Sequence, residues 1–272
     1  MTQPIAPTRI VPYKTVTGGP LHLHVFASAA PAPQPAIVFF FGGGWNGGTP
    51  TQFYPQCAHL SSRGMVAISA EYRTHSQHGT SPYECVADAK SAIRWVRTHA
   101  AELGVDPGRI AAGGGSAGGH LAAAAALLES FDDPHGDASV SCRPDALVLF
   151  NPVLDNGPEG YGQDRVADRW HEFSPMHNLR PGAPPTIIFL GSEDKLIPVA
   201  SMATYKRRMT DSGARCDVWI YDGQAHGFFN YRDGANPCYA ATLREADRFL
   251  VSLGYLAGES GLPLTSAIGT QI

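Results

Sequence analysis

The stretch IAAGGGSAGGHLAAAAALL, residues 110–128, carries a G-x-S-x-G motif with Ser116 at its centre. The short apolar run before the motif is typical of a strand, and the alanine-rich segment after it is typical of a helix. A serine on a sharp turn between a strand and a helix is the arrangement of a nucleophile elbow. Glycines flank the serine because a side chain at either position would collide with neighbouring backbone. The stretch therefore predicts a reactive hydroxyl at Ser116.

A phosphate-binding turn at the start of a helix is the alternative interpretation of these glycines. Such a loop would have a lysine or a longer glycine pattern. Residues 117–120, AGGH, provide neither. The setting therefore favours the nucleophile elbow.

Apolar runs alternate with helical patterns along the rest of the chain. Buried strands are predicted at residues 36–41, 65–73, 110–114, 146–150, 186–190 and 216–221. Helices are predicted at residues 52–63, 83–103, 199–212 and 236–253. The segment GVDPGR, residues 104–109, predicts a turn, and residues 18–20 predict a hairpin. Strands that alternate with helices predict an α/β fold with a mostly parallel central sheet and helices on both faces.

The length of 272 residues and the hydrophobic content of 43% suit a single α/β domain over residues 1–272. Residues 155–185 interrupt the alternation of strands and helices. They are polar, rich in glycine and proline, and contain aromatic side chains. We therefore expect a small cap over a site in this segment.

Charge and cysteine usage narrow the class of protein. A net charge of −4 without a basic cluster argues against nucleic acid and against an anionic membrane surface as partners. No apolar run approaches the roughly 18 residues of a membrane span, and the N-terminus lacks the pattern of a signal peptide. The five scattered cysteines form no C-x-x-C motif, which is typical of a reduced cytoplasmic protein without a zinc site. The sequence leaves open whether the protein forms a homo-oligomer.

His22 and His24 share one face of a predicted strand, the spacing of a metal-ligand pair. The sequence places no carboxylate or cysteine close to them. We therefore expect no metal site.

The acid and base partners of a serine nucleophile follow it in the order serine, acid, histidine in this architecture. The segment FLGSEDKLIP, residues 189–198, ends a strand and places Asp194 in the loop beyond it. Ligands and catalysis lie at this edge of open α/β sheets. Asp194 is the expected acid, with Glu193 as the alternative. Among the eleven histidines only His226 follows Asp194, so it is the expected base.

The segment FFFGGGW, residues 39–45, ends another strand in three glycines. Acyl transfer needs two or three N–H donors aimed in advance at the oxyanion. One is expected from Ala117, the residue after the serine, and two from Gly43 and Gly44. A glycine-rich turn without function is the alternative.

These three segments, together with GQAHGFF around His226 at residues 223–229, resemble the carboxylesterases of the α/β-hydrolase fold, closest to the bacterial branch related to hormone-sensitive lipase, often labelled acetyl-xylan-esterase-like or feruloyl-esterase-like. The resemblance covers residues 13–253. It implies a serine enzyme without a cofactor that acts on a small-molecule ester. The implied nucleophile, acid, base and oxyanion donors are Ser116, Asp194, His226, Gly43, Gly44 and Ala117.

The chain departs from this family at Phe41. Related esterases usually have a histidine there, which braces the glycine loop by hydrogen bonds. We expect Phe41 to pack its ring under the loop instead.

The leading functional prediction is hydrolysis of small to medium acyl esters, with acetylated or feruloylated carbohydrates as candidates. A peptidase or amidase is an alternative, and so is a receptor that binds a small molecule without turnover. Aromatic side chains close to the catalytic loops are expected to shape the substrate pocket. They are Trp45, Tyr83, Tyr161, Trp170 and Phe228.

Overall fold

The computed structural model describes residues 4–27, 29–232 and 236–272. Strands in these ranges pair into one sheet. The strands are β1 (Arg9–Val16), β2 (Gly19–Phe26), β3 (Gln34–Phe40), β4 (Val66–Ala70), β5 (Val105–Gly115), β6 (Ala146–Phe150), β7 (Thr186–Gly191), β8 (Cys216–Tyr221) and β9 (Gly269–Gln271). The order across the sheet is β1-β2-β4-β3-β5-β6-β7-β8-β9. The six central strands, from β4 through β3, β5, β6 and β7 to β8, run parallel to one another, and the strands at both edges pair antiparallel.

Helices cover both faces of the sheet. They are α1 (Tyr54–Ser62), α2 (His75–His78), α3 (Pro82–Thr98), α4 (Ala100–Leu103), α5 (Ala117–Leu127), α6 (Gln163–Val166), α7 (Trp170–Phe173), α8 (Val199–Asp211) and α9 (Pro237–Ser252). Side chains from α3, α5 and α8 pack in the core on one face, and those from α1 and α9 pack in the core on the other. The strand β3 shows how the sequence supplies both cores. Its side chains alternate between the two faces, so Val38 belongs to one core and Phe39 to the other.

Two local predictions need correction. The predicted turn at residues 104–109 is absorbed into β5, because Val105 pairs with Gln34 and the strand pairing resumes only at Ile110. The residues between form an irregularity in the strand, where the Asp106 carboxylate accepts hydrogen bonds from Gly108 and Arg109. The predicted helix at residues 83–103 is also two helices, α3 and α4, separated at His99.

The expectation that no carboxylate lies beside His22 and His24 is wrong. Glu71 follows β4, which pairs with β2, and its carboxylate lies 3.0 Å from His22 Nδ1 and 3.1 Å from His24 Nε2. Burial raises the pKa of Glu71, but hydrogen bonds from both histidines outweigh it and lower that pKa to about 2. Within the described ranges, no group of three or more histidine, cysteine or acidic side chains is placed to hold a metal ion.

Residues 155–185 contain the short helices α6 and α7 and contact the glycine loop. Arg165 in α6 donates to the Gly44 carbonyl at 2.5 Å, and the rings of Tyr161 and Phe173 lie against Trp45. The segment thus lies beside the predicted oxyanion loop. Among the described residues, no helix has the length and apolar character required to cross a bilayer.

Candidate active site

Ser116 lies on a strained turn between β5 and α5. Its backbone angles are φ 54° and ψ −119°, a conformation that is costly for a residue with a side chain. The flanking glycines permit the turn through close backbone contacts. A Cβ atom at Gly114 would lie 2.5 Å from the Phe40 oxygen, and one at Gly118 would lie 2.0 Å from the same atom. This is the geometry of a nucleophile elbow, with the serine half-buried at the carboxyl edge of the sheet.

Asp194 and His226 lie in loops that follow the adjacent strands β7 and β8. His226 Nδ1 is 2.7 Å from Asp194 Oδ2, and the Asp194 side chain is 1% exposed. The amides of Leu196 and Ile197 donate to Asp194 Oδ1 at 2.8 and 3.0 Å. Burial raises the pKa of Asp194, but the hydrogen bond from His226 and those from the two amides outweigh it and hold the pKa below its ordinary value. The carboxylate therefore stays ionised beside the imidazole.

Glu193, the alternative acid, lies outside this arrangement. Its side chain is 60% exposed and lies 3.6 Å from the exposed Lys195 ammonium. The adjacent carboxylates thus have different surroundings, and Asp194 is the one in contact with the histidine.

Asn151 connects the histidine to the serine strand. The strands β5 and β6 pair so that Gly115 lies opposite Phe150, and the Ser116 amide donates to the Phe150 oxygen at 2.9 Å. The next residue, Asn151, places its side-chain nitrogen 3.3 Å from His226 Nε2. Within the described part of the chain, Ser116 Oγ makes no hydrogen bond of its own. Such bonds often tighten only when substrate is bound.

Three backbone amides around the serine have no hydrogen-bond acceptor among the described residues. They are the amides of Gly43, Gly44 and Ala117. The Gly43 carbonyl accepts hydrogen bonds from Asn46 at 3.0 Å and Gly47 at 3.2 Å. Because a peptide group is planar and trans, this fixes the Gly44 N–H to point the opposite way. Free, pre-oriented donors of this kind are what an oxyanion hole requires.

The ring of Phe41 packs under the glycine loop. Phe41 is 3% exposed and stacks on Tyr72 with the ring centroids 4.2 Å apart. The Tyr72 hydroxyl also donates to the Phe41 carbonyl at 2.8 Å. The backbone of Gly48 lies so close to the ring that a Cβ atom there would be 2.6 Å from it. Packing and the Tyr72 hydrogen bond thus occupy the place of a side-chain hydrogen bond from residue 41.

A cavity of about 600 Å³ opens beside the glycine loop. Trp45 and Tyr161 line it together with the glycine loop and Arg165. Three other predicted pocket residues lie elsewhere. Tyr83 lines a separate surface cavity, Trp170 stacks on His171, and Phe228 packs in the core against Tyr221. Their part in substrate binding stays a prediction.

Sequence reasoning missed Asn151, Gln52, Asn230 and Arg165. Gln52 accepts from the Gly42 amide at 2.7 Å, and Arg165 anchors Gly44. None of them belongs to a motif, so their roles depend on contacts that the chain order does not show.

The order of the strands, the strained serine turn and the acid and histidine loops after β7 and β8 define an α/β hydrolase. The BD-FAE family profile matches residues 23–155. Carboxylesterase NlhH of Mycobacterium tuberculosis is 37% identical over 223 residues, which cover 72% of this chain and 67% of NlhH. Esterase LipC of the same organism is 30% identical and aligns with 75% of this chain and 55% of LipC. The chain thus spans about half to two thirds of the length of these curated relatives.

Esterase 2 of the planctomycete Thermogutta terrifontis is a close structural match. It is 45% identical with a TM-score of 0.90, over 94% of this chain and 98% of that chain. It has been solved with propionate bound, with butyrate bound, and phosphorylated by paraoxon. The chain belongs to the carboxylesterases of the α/β-hydrolase fold. The predicted fold class and family are confirmed, and these relatives favour neither a receptor nor a peptidase.

Proposed function

We propose that this chain hydrolyses carboxylic esters with Ser116 as nucleophile, His226 as general base and Asp194 as the acid that orients the base. The hydrogen bond of 2.7 Å between His226 and the buried Asp194 carboxylate carries the proposal. Ser116, whose backbone is strained, donates its amide to the Phe150 carbonyl, and the next residue, Asn151, contacts His226. A carboxylic ester hydrolase is the activity of the family, and the roles of the three residues are our assignment.

The geometry supports acyl transfer in two stages. Ser116 Oγ attacks the ester carbonyl carbon while His226 Nε2 takes the hydroxyl proton. The bond to the alcohol then breaks, and His226 returns the proton to the leaving oxygen. In the second stage a water molecule attacks the acyl-enzyme while His226 accepts a proton from that water. His226 then gives the proton to Ser116 Oγ as the bond to the acyl group breaks and the carboxylic acid is released. Asp194 remains a carboxylate throughout and stabilises the imidazolium that forms in each stage.

The free amides of Gly43, Gly44 and Ala117 are the proposed oxyanion donors. The carbonyl oxygen of the substrate becomes negative in both stages, and pre-oriented N–H groups stabilise it without reorganisation. Loss of one such donor typically costs about 100-fold to 1000-fold in kcat. Donors of this kind therefore contribute a large part of the expected rate.

Small to medium acyl esters are the proposed substrates. A cavity of about 600 Å³ suits a small molecule. The similar esterase of Thermogutta terrifontis binds propionate and butyrate, the acids that short-chain esters release. We infer that residues 155–185 act as a small cap that closes this cavity with Tyr161 and Arg165. Acetylated and feruloylated carbohydrates remain candidates within this class.

The decisive experiment compares wild type with Ser116→Ala on p-nitrophenyl acetate, butyrate and octanoate. We expect the substitution to lower kcat at least about a thousandfold on every ester, because the acyl-enzyme cannot form. Ser62→Ala, an exposed serine at the end of α1, is the matched control and is expected to keep full activity. Hydrolysis that survives unchanged in Ser116→Ala would refute the assignment.

A further inference from the structure

Three side-chain amides connect the glycine loop to the loop that carries His226. They belong to Gln52, just before α1, to Asn151, just after β6, and to Asn230, four residues after His226. We call these three residues the amide bridge. None of them forms or breaks a bond in ester hydrolysis, and none belongs to a sequence motif.

The first half of the amide bridge runs from Gly42 to Gly227. The Gly42 amide donates to Gln52 Oε1 at 2.7 Å, Gln52 Nε2 donates to Asn230 Oδ1 at 2.9 Å, and Asn230 Nδ2 donates to the Gly227 carbonyl at 2.8 Å. A backbone N–H is always a donor and a backbone carbonyl always an acceptor. The two backbone groups at the ends therefore fix the orientation of both side-chain amides. All three hydrogen bonds form only when the two side-chain amides have this orientation.

The second half of the amide bridge runs from Gly227 to the His226 ring. The Gly227 amide donates to Asn151 Oδ1 at 3.1 Å, so Asn151 Nδ2 is the atom that faces His226 Nε2. Asn151 is 1% exposed, which leaves the amide no solvent to turn toward. Because Nδ2 is a donor, Nε2 of the neutral ring is the acceptor, and the ring proton sits on Nδ1 facing Asp194. This is the tautomer that a general base toward Ser116 needs.

The amide bridge spans the two halves of the proposed site, because Gly42 begins the loop of oxyanion donors and Gly227 follows the base. Both halves must meet the same carbonyl group, and a misplacement of about 1 Å can cost about a hundredfold in rate. Phe41 has no side-chain donor for the glycine loop. Gln52 supplies the polar tether at the neighbouring residue instead.

We propose that Gln52, Asn230 and Asn151 are positioning residues that hold the glycine loop and His226 in register, and that Asn151 also sets the tautomer of His226. This rests on the proposed roles of Ser116 and His226. The amide bridge thus adds to the packing of Phe41 a second support for the glycine loop, and this support also reaches the base.

A double-mutant cycle tests the first half of the amide bridge. Gln52→Leu and Asn230→Leu each remove the link, and we expect each to lower kcat by about tenfold to a hundredfold with KM within about twofold. The double variant is expected to be no more than about threefold worse than the poorer single variant, because the link is already broken. Gln52→Glu keeps the size and the acceptor for Gly42 but cannot donate to Asn230, so it should lose kcat without loss of folding.

Gln56→Leu is the matched control for this cycle. Gln56 is a buried glutamine in the following helix α1, and its side-chain amide has no hydrogen-bond partner in the described part of the chain. We expect this variant to keep kcat. Kcat losses that add across the double variant, or equal losses in Gln56→Leu, would overturn the positioning role.

Asn151→Asp tests the tautomer. The aspartate still accepts a hydrogen bond from the Gly227 amide. It replaces the amide nitrogen that faces His226 Nε2 with a carboxylate oxygen, which stabilises the protonated ring. Asp194 is the charged side chain that already contacts that ring. We expect the acid limb of the kcat/KM profile to move to higher pH by about one unit or more. An unmoved limb would overturn this part of the proposal.

The proposed function and the role of the amide bridge can be refuted separately. Wild-type hydrolysis that depends on Ser116, together with unchanged kcat in Gln52→Leu and Asn151→Asp, would overturn the amide bridge alone. Hydrolysis that does not depend on Ser116 would overturn the proposed function and the amide bridge with it.

Discussion

Phe41→Ala is expected to weaken both the fold and catalysis, because the ring supports the glycine loop from below. The ring is 3% exposed, stacked on Tyr72, and in contact with the backbone of Gly48. Gly48 follows Gly47, whose amide donates a hydrogen bond to the Gly43 carbonyl in the glycine loop. Removal of the ring therefore opens a cavity directly under the proposed oxyanion donors.

The magnitude follows from these contacts. Truncation of a buried phenylalanine to alanine costs about 3 to 5 kcal/mol in the free energy of unfolding. The stacked pair with Tyr72 accounts for about 0.5 to 1.5 kcal/mol of that loss. A typical domain is stable by about 5 to 15 kcal/mol, so the variant should still fold. Misplaced donors add a loss of kcat of up to about 100-fold to 1000-fold, the effect of losing one donor.

Urea unfolding and kcat on p-nitrophenyl butyrate measure the two effects separately. Phe249→Ala is the matched control, because Phe249 is also 3% exposed but packs in the opposite core, away from the glycine loop. We expect both variants to lose similar stability and only Phe41→Ala to lose kcat well beyond twofold. Full kcat and full stability in Phe41→Ala, or equal losses of kcat in the two variants, would show that the ring braces nothing.

Three further predictions concern the acid, a buried histidine and the pocket. Asp194→Asn should lower kcat about ten thousandfold, whereas Glu193→Gln should leave it unchanged; a loss below tenfold in Asp194→Asn would contradict the role of this acid. Burial lowers the pKa of His120 from 6.5 to about 3, so between these values the unfolded chain binds a proton that the folded chain does not. The free energy of unfolding should therefore fall by about 1.4 kcal/mol per pH unit as the pH drops through this window. Urea unfolding at several pH values should show a weaker dependence of this free energy on pH in His120→Gln than in wild type. An equal dependence in both proteins would contradict the role of His120. Tyr161→Ala should change the acyl-chain preference measured with p-nitrophenyl esters, whereas Trp95→Ala, in a different surface cavity, should not, and equal effects would show that the cavity lining does not set this preference.

Local patterns were sufficient to predict the fold and the elements that carry the site. The Ser116 turn needs glycines at fixed neighbouring positions, so its geometry is written in consecutive residues. The apolar runs of β3 and β6 likewise predict buried parallel strands without reference to the rest of the chain. Chain order then predicted the loops of Asp194 and His226, which the structure brings together.

Contacts between distant residues could not be predicted in this way. Gln52 and Asn230 are 178 residues apart and meet through one hydrogen bond. Glu71 reaches His22 because β2 pairs antiparallel with β4, and the sequence did not show this pairing. The irregularity within β5 was interpreted as a turn because Asp, Pro and Gly favour turns whether or not a strand continues around them. The cytoplasmic location, the cap and the oligomeric state stay predictions.

The most direct test of the account is the site at which paraoxon reacts. The similar esterase of Thermogutta terrifontis is phosphorylated by this compound. We predict that intact-mass measurement of the treated protein shows one added diethylphosphoryl group, that peptide mapping places it on Ser116, and that esterase activity falls in proportion. Ser116→Ala should take up none. Loss of activity without modification of Ser116, or a phosphoryl group on another residue that accounts for the inhibition, would contradict the central claim that Ser116 is the nucleophile.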